Sequence, residues 1–332
     1  MLLLRLATLL LLTGLAAGCA ASAPAPAPTV HVAPHFTSTS FVADDGAELP
    51  LRQWEPDGKT KAVVLALHGF NDYSHAFEQP AMQWASHDIA TYAYDQRGFG
   101  AAPDPGFWAG TERMSRDAVE ACDALKAKYP GLPVFVLGES MGGAVAITAA
   151  TGAAGTPLCA DGLILEAPAI WGRSTMSVFE RAALWFADGT VPGLTLTGQG
   201  LGVKPSDNIE MLRALGRDPL VIKGTRVDTI HGLVDLMDAA LAAGPRLHTP
   251  LLLLYGAHDE LIPDEAMRRF IASLPPDTPH RIAYYPEGFH MLLRDLDGPL
   301  VGRDVAAWIM NPVAPLPSGA DREGAKALAA ER

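Results

Sequence analysis

Phe135-Val136-Leu137-Gly138-Glu139-Ser140-Met141-Gly142-Gly143-Ala144 reads as a buried strand, a G-x-S-x-G turn and the start of a helix. A strand that passes into a helix this sharply strains the residue at its apex, and the neighbours two positions away must lack bulk. Gly138 and Gly142 meet that demand. The turn lifts the Ser140 hydroxyl above the carboxyl end of a sheet, where open α/β sheets bind ligands. Amides at the helix N-terminus then face developing negative charge.

Outward from this turn, short apolar runs recur at Ala62–Leu67, Ile89–Tyr94, Pro133–Leu137, Gly162–Leu165, Leu251–Tyr255 and Arg281–Tyr285. Continuous apolar runs of this length suit strands buried on both faces. Helical patterns lie between them, as at Met114–Lys128 and Ala144–Ala150. The alternation predicts an α/β fold with a mostly parallel central sheet flanked by helices. Two β-prone runs, Thr37–Val42 and Leu49–Trp54, precede it around the turn signal Asp44-Asp45-Gly46 and predict an antiparallel start. The rhythm breaks at about 169–245, where Val178, Ala182, Trp185 and Phe186 fall at helical spacing without strand runs. An inserted helical cap is expected there, between core segments 36–168 and 246–310, and a flexible tail over 311–332.

An alcohol needs a base to act as a nucleophile, and the base needs an orienter. Asp259 follows the strand run Leu251–Tyr255, and His290 follows the next one. Both therefore fall past strand ends on the edge that carries Ser140, in the chain order nucleophile, acid, histidine. Glu260 and Asp264 are alternatives for the acid. His258 precedes the acid, His280 opens a strand at the opposite edge, and His231 falls in the cap. Asp95 comes before the nucleophile and reads as a loop organiser, and His68 as a buried loop anchor. Two backbone N–H groups should hold an oxyanion, one from Met141 and one from Phe70 in the first strand–helix loop. Trp171, Met176, Phe179, Trp185 and Phe186 are the expected apolar pocket.

Met1–Ala17 is apolar with one basic residue, too short to span a bilayer and suited to an export signal over residues 1–18. It ends Leu15-Ala16-Ala17-Gly18-Cys19, which resembles a bacterial lipobox. Cys19 is then the expected lipidation site, and 19–35 an Ala/Pro spacer holding the domain off a membrane in the cell envelope. The chain carries 37 acidic and 25 basic residues, a net charge of −12 that excludes an extended phosphate-binding surface, so no nucleic acid partner is expected. Three cysteines do not make a disulfide scaffold. Whether Cys122 and Cys159 pair is open at this level.

His68-Gly69-Phe70, Tyr94-Asp95-Gln96-Arg97-Gly98-Phe99-Gly100, Gly138-Glu139-Ser140-Met141-Gly142-Gly143, the Asp259 loop, His290 and the cap segment Asp218-Pro219-Leu220-Val221-Ile222-Lys223-Gly224 are the motifs of a known group. Together they resemble the monoacylglycerol lipase/lysophospholipase group of α/β-hydrolases, also called serine aminopeptidase S33-like hydrolases, over residues of about 36 to 310. The resemblance implies a triad Ser140–Asp259–His290, no metal or organic cofactor, and a helical cap over an acyl pocket for a small lipid-like ester. Glu139 stands where many members carry His, and Phe99 where His is frequent. True prolyl aminopeptidases carry a different elbow, so the family label does not imply peptidase activity. The same triad would serve an acyltransferase with an alcohol acceptor, and the cap a non-catalytic envelope protein that binds apolar ligands.

Overall fold

The computed structural model describes residues 31–174, 176–198 and 202–322. The expected signal, Cys19 and most of the spacer lie outside the described residues. Among those described, no helix is long and apolar enough to cross a membrane.

Nine strands form the central sheet: β1 (His35–Phe36), β2 (Ser40–Val42), β3 (Glu48–Trp54), β4 (Ala62–Leu67), β5 (Ile89–Tyr94), β6 (Val134–Glu139), β7 (Gly162–Glu166), β10 (Leu251–Gly256) and β11 (His280–Tyr285). Their order is β1-β2-β3-β5-β4-β6-β7-β10-β11. The first three strands run antiparallel to their neighbours, and the six from β5 to β11 pair in parallel. Every residue of β4, β5, β6, β7 and β10 is buried, as the unbroken apolar runs require.

Side-chain alternation along these strands divides the core in two. Val63, Leu65, Val136, Leu163 and Leu253 face helices α2 (Thr111–Lys128) and α3 (Met141–Ala150). Val64, Leu137, Ile164 and Leu252 face α1 (Glu78–Ala85) and α8 (Gly298–Met310). Trp84 of α1 donates its indole N–H to the Gly302 carbonyl of α8 at 2.9 Å, joining that outer layer. Helix α3 begins three residues before the expected start at Ala144, because Gly142 and Gly143 lie inside its first turn. A Cβ on Gly142 would meet the Leu67 carbonyl oxygen at 2.0 Å, so the pair permits close packing where it reads as a break.

The expected helical cap contains α4 (Val178–Thr190), α5 (Ile209–Arg217) and α6 (Val227–Ala243). It also holds an antiparallel ribbon of β8 (Thr195–Thr197) and β9 (Gly224–Arg226), each too short to leave a periodic signal. The described part of the expected flexible tail, 311–322, is docked rather than free. Leu316 and Ala320 are buried in the outer layer, and Arg281 binds the Ala314 carbonyl and the Asp321 carboxylate, each at 2.6 Å. Two apolar anchors alone are too few to stand out against the tail's Pro- and charge-rich composition. Cys122 and Cys159 are free thiols in contact; the hydrogen bond that the Cys122 thiol makes to Cys159, and then burial, push the Cys122 pKa up.

Candidate active site

Parallel strands bring four loops to one edge of the sheet: those after β4, β6, β10 and β11. The loop after β6 is the elbow. Ser140 sits at φ 51°, ψ −111°, a conformation that costs a side-chain-bearing residue roughly 1–3 kcal/mol. Its backbone is held from both sides. The Ser140 N–H donates to the Glu166 carbonyl at 2.9 Å, and the Ser140 carbonyl accepts from Ala169 N–H at 2.8 Å and Ala144 N–H at 3.2 Å. A Cβ on Gly138 would lie 2.3 Å from the Gly142 carbonyl oxygen, so the elbow closes only without that side chain.

Asp259 and His290 meet across the next two loops. His290 Nδ1 lies 2.9 Å from Asp259 Oδ2, with the two side chains 4% and 0% exposed. A carboxylate only accepts, so the proton of this bond sits on Nδ1 and the Nε2 lone pair is free for a substrate or nucleophile proton. The other oxygen, Asp259 Oδ1, accepts from Leu261 N–H at 2.8 Å and Ile262 N–H at 2.9 Å, which fixes the carboxylate plane. Ser140 and His290 line one cavity. The alternatives for the acid are occupied elsewhere: Glu260 accepts from Lys204 N–H at 2.8 Å, and Asp264 pairs with Arg268 within α7 (Asp264–Ser273). His231 stands beside Asp188 at 2.9 Å, within the cap.

The loop after β4 packs against the elbow, a Cβ on Gly69 falling 3.6 Å from Ser140 Cβ. Phe70 lines the cavity, and Met141 opens α3, where first-turn amides lack intrahelical acceptors. His68 is wholly buried beneath this loop. Its Nδ1–H donates to the Gly69 carbonyl at 2.8 Å, its Nε2 accepts from Gln96 N–H at 2.9 Å, and burial holds its pKa below the usual histidine value. Asp95 accepts from Ser74 N–H at 3.0 Å, Ser74 hydroxyl at 2.6 Å and Ala101 N–H at 2.9 Å, organising the adjoining loops.

The cavity has a volume of about 430 Å³ and lies between this edge and the cap. Trp171 and Met176 line it; Phe179, Trp185 and Phe186 do not. Those three are 87%, 75% and 64% exposed, because α4 turns Leu184 inward and its largest side chains outward. Most of the cap wall comes instead from α6, through Ile230, Leu233, Val234 and Met237. Their i, i+3, i+4, i+7 spacing was the available sequence signal, and the aromatic residues of α4 masked it. Two carboxylates, Asp72 and Glu139, complete the polar end, and among the described residues no Lys or Arg lines the cavity.

The chain was compared with known proteins. The family model described as Hydrolase_4, serine aminopeptidase S33, matches residues 58–297. Human monoglyceride lipase is 28% identical over 274 residues, covering 82% of this chain and 89% of that one. A monoacylglycerol lipase of Mycolicibacterium smegmatis is 26% identical over 82% of this chain and 96% of its own. Among solved structures, a soluble variant of the Saccharomyces cerevisiae monoglyceride lipase in complex with a substrate analog superimposes with a TM-score of 0.68 at 21% identity, over 86% of this chain and 98% of that one. With the doubly covered parallel sheet, the inserted cap and the elbow in place, and a family model matched over most of its length, this chain is an α/β-hydrolase of the serine aminopeptidase S33 (Hydrolase_4) family.

Proposed function

We propose that this enzyme, a carboxylic ester hydrolase of the lipid-cleaving kind, releases a fatty acid from a monoacylglycerol through Ser140, His290 and Asp259. The observation that carries the reading is the buried 2.9 Å bond from His290 to Asp259 beside a cavity that Ser140 also lines. His290 Nε2 takes the Ser140 proton as Oγ attacks the ester carbonyl, and the carbonyl electron pair moves to oxygen. Phe70 and Met141 N–H groups hold that oxyanion. On collapse the C–O bond to glycerol breaks and His290 returns the proton to the leaving oxygen. Water then attacks the acyl-enzyme by the same route, and Asp259 steadies the imidazolium in both halves.

Apolar walls and a volume of about 430 Å³ suit one acyl chain. The polar end favours an uncharged glycerol head over a phosphodiester, because Asp72 and Glu139 share the single Arg294 cation buried beneath them, which leaves a net negative charge facing a phosphate. The names of the relatives point the same way. A fluorophosphonate should label Ser140, and fatty acid should be released from monoacylglycerol at least about tenfold faster than from a lysophospholipid of equal chain length. Lack of labelling at Ser140 removes the reading. Transfer to added alcohol in preference to water would make the enzyme an acyltransferase on the same triad. We further propose that Cys19 carries a lipid anchor to the cell-envelope membrane; an unmodified mature terminus beyond Cys19, found by mass spectrometry, removes that part alone.

A further inference from the structure

Four residues after His290, Arg294 turns back beneath the elbow. Its guanidinium donates to Asp72 Oδ2 and to Glu139 Oε1, each at 2.6 Å. All three side chains are at most 7% exposed. Asp72 closes the loop that carries Phe70, and Glu139 directly precedes Ser140. Asp72 Oδ1 also accepts the N–H of Tyr73 at 2.9 Å, so the ion pair grips that loop and not a free side chain. The adjoining Leu293 N–H donates to Glu166 Oε1 at 2.9 Å, and the Glu166 carbonyl accepts the Ser140 N–H. Flanking carboxylates hold the guanidinium pKa above its ordinary value against the opposing effect of burial. Buried ion pairs seldom stabilise a fold more than an apolar replacement would, so their geometric effect is the better account of an expensive arrangement.

We propose that Arg294 is a positioning residue, clamping Asp72 to Glu139 so that the Phe70 and Met141 amides, which belong to separate chain segments, converge on one oxyanion. The inference rests on the hydrolase reading above. The carbonyl oxygen becomes an oxyanion only after Ser140 attacks, so a displaced amide weakens the transition state and leaves ground-state binding intact. A planar fork spans two carboxylates; a lysine ammonium satisfies the pair less well, yet still bridges them.

The test compares wild type, Arg294→Met, Arg294→Lys and Asp72→Asn. Each is measured for kcat and KM on a p-nitrophenyl ester, and for inhibition by an alkyl trifluoromethyl ketone and by a 1-O-alkylglycerol ether. The ketone accepts Ser140 Oγ at its carbonyl carbon, the proton passes to His290, and its oxygen becomes a stable oxyanion. The ether cannot be attacked. Arg294→Met is expected to lose about 100-fold in kcat and a similar factor in ketone affinity, with KM and ether affinity within about threefold. Arg294→Lys should recover about tenfold of the loss. If Arg294→Met does not fold, as thermal melts would reveal, Arg294→Lys and Asp72→Asn carry the test with the same kcat-selective loss of about tenfold. Unchanged kcat in the folded variants overturns the clamp, as does a parallel fall in ketone and ether affinity, or a Lys variant no better than a folded Met variant. Fluorophosphonate labelling of wild type separates the two levels. An unlabelled Ser140 sinks the hydrolase reading with the clamp, whereas a labelled Ser140 with intact Arg294 variants sinks the clamp alone.

Discussion

At the carboxyl edge of the sheet, the Asp259 side chain is wholly buried and uses both oxygens, two backbone amides on one and His290 on the other. Along α4, by contrast, Phe179 and Trp185 are 87% and 75% exposed, and the half-buried side chains include the smaller Leu184 and Ala187. The two regions carry chemistry in different ways. At the edge, backbone geometry narrows the choice of residue: a Cβ on Gly138 or Gly142 would strike backbone, and both oxygens of Asp259 have partners. In the cap, many apolar side chains would serve, and which face turns inward is decided by packing against α6 and the loops below.

The sharpest break of this contrast would be an edge that tolerates change. Ser140→Ala is expected to lower kcat by roughly 10⁴–10⁶-fold with the melting temperature retained. Asp259→Asn should cost about 10⁴-fold, since an amide no longer fixes the proton on His290 Nδ1. Steady-state kinetics alongside thermal melts check both. Retained turnover in Ser140→Ala would show that the edge is scaffold and that the chemistry lies elsewhere.

That asymmetry also explains what the sequence disclosed. The placement of Ser140, Asp259 and His290 at one edge was legible because each follows an apolar run, and parallel strands deliver such positions there. The sheet was legible for the same reason. Phe179, Trp185 and Phe186 were misassigned because size on a helical stripe does not tell an inward face from an outward one. The ribbon β8–β9 spans three residues per strand, below any periodic signal. The link from Arg294 to Asp72 crosses 222 positions, and no local pattern announces a pair that distant.

A substitution on α6 sharpens the cap side. Met237 is buried against the cavity, so Met237→Trp should fill part of it. The ratio of kcat/KM for long over short acyl esters is expected to fall by about tenfold, at a stability cost of about 1–3 kcal/mol. An unchanged chain-length profile would move the acyl site away from α6.

A smaller effect concerns charge beneath the elbow. Burial first, and then the facing Glu139, raise the Glu166 carboxyl well above the ordinary glutamate range. Its Oε2 has no partner among the described residues. The folded chain therefore keeps a proton that the unfolded chain releases once pH passes that ordinary range. The stabilisation is full below the unfolded pKa and declines as pH rises toward the folded one. Glu166→Gln removes the titration while its carbonyl oxygen can still accept from Leu293 N–H. Its melting temperature relative to wild type should rise steadily between about pH 5 and about pH 8. A pH-independent difference would mean that Glu166 is ionised in the fold.

The smallest expected effect is at the most conspicuous side chain. Trp185→Ser deletes an indole from a helix face that is largely in water already, so little apolar area returns to solvent. Stability should change by no more than about 0.5 kcal/mol, and kcat/KM on a short soluble ester by less than about twofold. Denaturant melts and steady-state kinetics measure both. A larger loss on the soluble ester would mean that α4 rotates during turnover and brings Trp185 into the cavity. The cap would then resemble the edge, with its large side chains held to one position by the chemistry they serve.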